Sequence, residues 1–120
     1  LRIVAAHDVG KAINPTLVEG QIEGGIAQGL GLALMEEYLP GCTENLHDYL
    51  IPTIGDVPPI ECILVEDAEP LGPFGAKGVG EPPTISSTPA VVAAIRDATG
   101  KDLDRVPVRP QDIALEETAR

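Results

Sequence analysis

An α+β fold, with a long glycine-rich helix and a second helix packed on a small sheet, is the architecture that this 120-residue sequence predicts. Three observations point to it. Two short apolar runs, Leu1–Ala6 and Ile60–Val65, have the composition of buried strands, and so few strands make only a thin sheet. Two longer stretches each open on a capping residue followed by proline, at Asn14-Pro15 and Thr88-Pro89. The elements alternate without any internal repeat.

Taken in order, Leu1–Ala6 is the first strand and runs into His7-Asp8-Val9-Gly10, whose glycine suits a turn. Asn14 is then an N-cap with Pro15 at the first helical position, while Thr16-x-x-Glu19 offers a competing capping box. The helix so started is expected from about residue 15 to about residue 38, stopping before Pro40-Gly41. Pro52, Gly55, Pro58 and Pro59 make residues 40–59 a loop, and Ile60–Val65 is the second strand. The stretch from Gly72 to Pro83 is too rich in glycine and proline for a regular element. Thr88-Pro89 opens the second helix, which Gly100 ends, and Pro107 and Pro110 hold the tail extended up to a short helix from Gln111.

Composition removes several functions. Eight Lys and Arg against 19 Asp and Glu give a net charge of −11, and two Tyr, one Phe and no Trp leave neither a cationic field nor stacking platforms for a nucleic acid. At 43% hydrophobic residues the chain is not disordered, and its core must be made of Val, Ile, Leu and Ala. Cys42 and Cys62 form no C-x-x-C and have no flanking His pair, so neither a zinc site nor a redox motif is indicated, and two indifferent thiols fit a reducing compartment. With no signal-peptide pattern and no apolar run near 18 residues, the expectation is a cytoplasmic protein without membrane contact. The chain begins at Leu1, not Met, and is expected to be a piece of something longer.

Two constellations carry chemistry. In the first, Gly20, Gly24, Gly25, Gly29 and Gly31 lie within one helix, and each costs roughly 1 kcal/mol of propensity relative to Ala. Gln21 and Gln28, seven residues apart, share a face with Gly24 and Gly25 between them. That face suits either a flat polar ligand or close helix packing, with Gly20-x-x-x-Gly24 and Gly25-x-x-x-Gly29 as seams. In the second, Lys77 lies in a glycine loop but fails the phosphate-loop pattern, because Ala76 precedes it and Gly78 follows it. What remains is a loop that brings backbone N–H groups close to a ligand and ends in Glu81, held by Pro82 and Pro83. A carboxylate so fixed suits general-base work if its pocket is dry, and a plain surface turn is the competing reading. His7 and Asp8 point to opposite faces of a strand and are expected to be structural. Glu36-Glu37 reads as a solvated or partner-facing acidic patch, and Arg105 and Arg109 as a solvated tail.

Together these pieces resemble the C-terminal segment of the molybdenum-binding subunit of the xanthine dehydrogenase and aldehyde oxidase family, the molybdenum hydroxylases. The resemblance rests on Asp8-Val9-Gly10 with Asn14-Pro15, on Gly20-Gln21-Ile22-Glu23-Gly24-Gly25 through Gln28-Gly29-Leu30-Gly31, on Asp48-Tyr49-Leu50-Ile51-Pro52-Thr53, and on Ala76-Lys77-Gly78-Val79-Gly80-Glu81-Pro82-Pro83. It implies that residues 1–120 are the C-terminal part of a larger molybdopterin-binding domain. It also implies oxidative hydroxylation of an aldehyde, purine or N-heterocycle carbon with water-derived oxygen, the glutamate at Glu81 being the general base. Gln21 would hydrogen-bond the molybdenum–molybdopterin cofactor, in its plain or cytosine dinucleotide form, with Gly24, Gly25 and Gln28 on the same helix face. The backbone of Lys77, Gly78, Val79 and Gly80 would line its edge. The pterin dithiolene holds the metal, so no protein ligand to it is expected. Iron–sulfur clusters and FAD would lie on other domains or subunits, and the partners would be the remainder of the molybdenum-binding subunit, the iron–sulfur and flavin subunits and a small-molecule substrate. Alone, the chain should not turn over. The alternatives are a non-catalytic cofactor-binding or interaction remnant of the fold, and a carbon monoxide dehydrogenase-type large-subunit fragment.

Overall fold

The computed structural model describes residues 1–114; the final residues of the expected 1–120 domain lie outside the described residues. Strand β1 (Ile3–Asp8) leads into helix α1 (Pro15–Leu34), strand β2 (Ile60–Val65), a 3-10 turn at Pro73–Gly75, helix α2 (Pro82–Thr99) and the short helix α3 (Pro110–Ala114). The strands form a two-stranded parallel sheet, from Ile3 opposite Ile60 to Asp8 opposite Val65, so α1 belongs to a crossover connection. The architecture is α+β, with two main helices and a small sheet, as the order of elements predicts.

The sheet is covered on one face. Ala5 of β1 and Ile22 and Ile26 of α1 form the core, flanked by Ile3, Val18, Ile60, Cys62, Leu64 and Val79. On the other face Val4, Ile63 and Val65 are each close to half exposed, although parallel sheets ordinarily bury both faces. The accessible surface is 8399 Å². A folded monomer of 12.5 kDa exposes only about 6,200 Å². Among the described residues, no helix is long and apolar enough to cross a membrane.

The start of α1 follows its sequence signal: Asn14 Oδ1 accepts from the Leu17 N–H at 3.2 Å, and Pro15 takes the first helical position. Its end does not. The helix stops at Leu34, short of the expected residue 38, because the N–H groups of Met35 and Glu36 both turn back to the Gly31 carbonyl, each at 2.8 Å. Glu36 and Pro52 then fill the space beside Gly31 where a Cβ would stand. The acidic pair is structural instead of solvated: Glu36 accepts from the Tyr49 hydroxyl at 2.7 Å, which pushes the Tyr49 pKa up, and Glu37 pairs with Arg109. Arg109 is therefore no loose tail, and Val108 N–H donates to the Ala33 carbonyl at 2.7 Å beside it.

Helix α2 begins at Pro82, six residues before Thr88-Pro89. Pro82 and Pro83 fix the backbone for the first turn, where the missing N–H groups would have had no partner in any case, and Thr84 and Ile85 donate to the Glu81 carbonyl. Thr88 is not a cap; its hydroxyl donates to the Gly29 carbonyl of α1 at 2.9 Å, and Pro89 sits inside the helix on an exposed position. The Gly100 stop is as expected, with φ of +70° and its N–H returning to Arg96. Helices α1 and α2 meet backbone to side chain: a Cβ on Gly25 would stand 2.8 Å from Pro83 Cβ, and one on Gly29 would fall on the Ser87 hydroxyl.

Candidate functional site

The site is built around a clasp between the end of β1 and the glycine loop. Asp8 Oδ1 accepts from the Gly10 N–H at 2.9 Å, folding the chain into a tight turn with Gly10 at φ +64°. Across from it, Lys11 N–H donates to Gly75 O at 2.8 Å and Lys77 N–H to Val9 O at 3.0 Å, with Gly10 and Ala76 forming an antiparallel bridge. A Cβ at Gly10 would collide with the backbone of Gly75 and Lys77, so glycine is demanded both by φ and by the close approach. The Lys77 ammonium closes the clasp, 2.6 Å from Asp8 Oδ2 and 3.7 Å from Asp67. The Lys77 hydrogen bond, then the Gly10 N–H, hold Asp8 below the usual carboxylate range, and the bond to Asp8 pushes Lys77 up.

Beside the clasp lies a cleft of ≈180 Å³ between the loop and the first turns of α1. Gln21, Lys77 and Val79 line it together with Val9, Lys11 and Leu17. These three expected site residues are thus brought together by β1, α1 and the glycine loop. Gln28 is exposed on the same helix, two turns or about 10 Å further along the axis, and it is not part of the cleft. Gly24 is exposed and a Cβ there would meet nothing within 4 Å, and the same holds for Gly78 and Gly80 in the loop. Gly25 is different: it is buried under Pro83 and Thr84, so it serves helix packing and presents no open face to a ligand. Of the two seams the spacing suggests, Gly25-x-x-x-Gly29 packs α2, while Gly20 and Gly24 stand in open space.

Glu81 heads α2 at the exit of the loop, exposed, and its carboxylate has no hydrogen bond or ion pair among the described residues. The dry pocket that a base would need is therefore not formed around it by the described residues. His7 turns to the partly buried face, where its Nδ1 has no partner among the described residues, while Asp8 points away to the clasp. Among the described residues no group of three or more His, Cys, Asp or Glu could hold a metal ion.

The two thiols differ. Cys62 lies partly buried on the inner sheet face, where burial, then Glu23 and Glu19, push its pKa up; Cys42 is exposed. Since the thiolate is the reactive form, an alkylating reagent at mildly alkaline pH is expected to label Cys42 first, read by peptide mass spectrometry. Equal labelling rates would contradict this placement of Cys62.

The Asp8–Lys77 link went unread in the sequence. Its signal is the Asp-x-Gly turn followed, across the parallel pairing, by one of only three lysines in the chain. Neither residue points to the other until β1 and β2 are in register.

Residues 1–58 match the family described as "Molybdopterin cofactor-binding domain". The xanthine dehydrogenase molybdenum-binding subunit of Escherichia coli is 40% identical over 116 residues, covering 92% of this chain and 15% of that protein. The crystal structure of quinoline 2-oxidoreductase from Pseudomonas putida superposes with a TM-score of 0.85 at 44% identity, covering 92% of this chain and 15% of the other. That of the aldehyde oxidoreductase from Desulfovibrio desulfuricans gives 0.87 at 40% identity, with 92% and 12% covered. The chain thus spans less than a sixth of the length of these relatives.

Proposed function

Because the chain belongs to the xanthine dehydrogenase and aldehyde oxidase family, as a segment of its molybdenum-binding subunit, we propose that it forms one wall of a molybdopterin site. In that role it supplies Glu81 as the general base of an oxidative hydroxylation by water-derived oxygen. The observation that carries this reading is the meeting of Gln21, Lys77 and Val79 at one cleft, with Glu81 four residues beyond Lys77 along the same loop. The residues suit such a ligand. Gln21 offers two donors and an acceptor, and at Gly24, Gly78 and Gly80 bare backbone leaves open the space a Cβ would fill.

When bound, the molybdenum cofactor supplies the oxygen transfer and accepts two electrons. The chain's own residues would bind and position: the Gln21 amide would hydrogen-bond the pterin, and the backbone from Gly78 to Gly80 would line it with no side chain on either glycine in the way. Glu81, unpaired among the described residues at the head of α2, would take up the substrate water's proton on its carboxylate. The remainder of the subunit would enclose this carboxylate and supply the substrate pocket for an aldehyde, purine or N-heterocycle. It would also cover the half-exposed sheet face of Val4, Ile63 and Val65. We assign the iron–sulfur and flavin centres to other domains or subunits, the pterin to its plain or cytosine dinucleotide form, and the assembly to the cytoplasm, where Cys42 and Cys62 remain thiols.

Labelled water tests the reaction. The complete assembly should contain molybdenum and place ¹⁸O from water into its product; an assembly without molybdenum, or a product labelled from dioxygen, would refute the proposal. Gly24→Ala tests the wall separately. It should stabilise α1 by about 1 kcal/mol through helix propensity while lowering molybdenum content in the complete assembly. A stabilised variant with full molybdenum would remove Gly24 from the cofactor face.

A further inference from the structure

The pairing of Lys77 with Asp8 accounts for more than local stability. The loop from Lys77 to Glu81 contains two glycines, Gly78 and Gly80, with no neighbour within 4 Å of a Cβ position, so nothing at those positions restrains it. It is held where Val79 packs against the core and at its two ends. At one end Pro83 is buried against Gly25 of α1. At the other, the Lys77 N–H is fixed to Val9 O and its ammonium to Asp8, which simultaneously ties down Gly10. The Lys77 side chain is 29% exposed and that of Asp8 42%, so the pair is partly shielded by the clasp around it. Its charge is also spoken for: Asp8 at 2.6 Å and Asp67 at 3.7 Å surround the ammonium. Lys77 lines the cleft, yet its charge is balanced within the clasp and is not left as a free cation for an anionic ligand.

We propose that Asp8 and Lys77 act as a single positioning unit that sets the loop carrying Glu81, the Lys77 charge being kept for Asp8. This rests on the reading of Glu81 as the base. A base must lie within hydrogen-bond reach of the proton it takes, and a displacement of about 1 Å costs up to about a hundredfold in rate. Lys77 lies four residues before Glu81, and with nothing packed beside Gly78 and Gly80 the path of the loop is set by its anchors at Lys77, Val79 and Pro83.

Asp8→Asn keeps an acceptor for the Gly10 N–H but removes the charge, and Lys77→Met keeps the stem but removes the ammonium. In the complete assembly each single variant is expected to retain its molybdenum content and KM and to lose about ten- to a hundredfold in kcat, and the double variant to lose no more than either single one. Lys77→Arg should restore most of the rate. Hydrogen exchange read without turnover should show faster exchange at the Lys11 and Lys77 amides of both single variants. Arg2→Met, which breaks the exposed Arg2–Glu61 pair elsewhere on the sheet, should leave kcat unchanged. Additive losses in the double variant, unchanged exchange at the two amides, or loss of molybdenum in step with the rate would overturn the proposal. Failure of the base reading itself appears elsewhere, as unimpaired turnover in Glu81→Gln, and would leave the exchange result standing.

Discussion

Glu81→Gln in the complete assembly is expected to keep the full molybdenum content and to lose roughly two to four orders of magnitude in turnover, the range of a general acid–base contribution. The substitution preserves size and hydrogen-bonding capacity while removing the ability to hold a proton at neutral pH. It should cost little in folding, because the Glu81 side chain is exposed, caps nothing and bonds to nothing among the described residues. The first turn of α2 depends on the Glu81 carbonyl, which accepts from Thr84 and Ile85 and survives the change. A drop in rate without a drop in melting temperature or metal therefore isolates the chemistry. Turnover at the wild-type level would remove Glu81 from the reaction and favour a cofactor-binding remnant of the fold.

The largest loss of stability is expected from Gly29→Leu. Gly29 is buried, its carbonyl accepts from Thr88, and a Cβ there would fall on the Ser87 hydroxyl and stand 3.1 Å from both Ser87 Cβ and the Thr84 carbonyl oxygen. The obstacle includes backbone, so rotating a serine does not clear it. Overpacking of this kind costs about 1–3 kcal/mol or more, against a gain of about 1 kcal/mol in helix propensity. A leucine, with three more carbons than alanine, should sit at the upper end of that cost and part α1 from α2. Chemical denaturation or the melting temperature reads the result. A variant as stable as the parent would mean that the two helices do not meet at Gly29.

Much of this fold was legible where a local signal had one meaning. Asn14-Pro15 gave the start of α1, the two apolar runs gave the strands, and Gly100 gave the end of α2. Where the same signal admits two meanings, sequence reasoning failed. Thr88-Pro89 repeats the pattern of Asn14-Pro15, but its hydroxyl is taken by a carbonyl of another helix 59 residues away. Pro82-Pro83 reads equally as a rigid loop exit and as a first helical turn, and the fit of Pro83 against Gly25 decides for the turn. The end of α1 depends on Glu36 finding Tyr49 and Glu37 finding Arg109, partners no local window contains. The candidate site divides the same way. Spacing placed Gln21 and Gln28 on one side of a helix, but only the docking of the glycine loop makes Gln21 part of a cleft and leaves Gln28 outside it. Whether a helical glycine is a seam or a bare surface likewise depends on α2: Gly25 lies beneath it and Gly24 does not.

The parallel pairing of β1 with β2 also fixes an order of events during synthesis. Parallel strands cannot zip from a hairpin; they must wait for the whole crossover to emerge and for a long loop to close. Asp8 meets Lys77 across 69 residues of chain. Without Lys77 the turn at Gly10 lacks the loop that closes it, and the cleft keeps only its β1 and α1 sides. The cleft beside Gln21 is therefore a product of long-range closure, complete only when Lys77 and Val79 have joined the residues of β1 and α1 that line it.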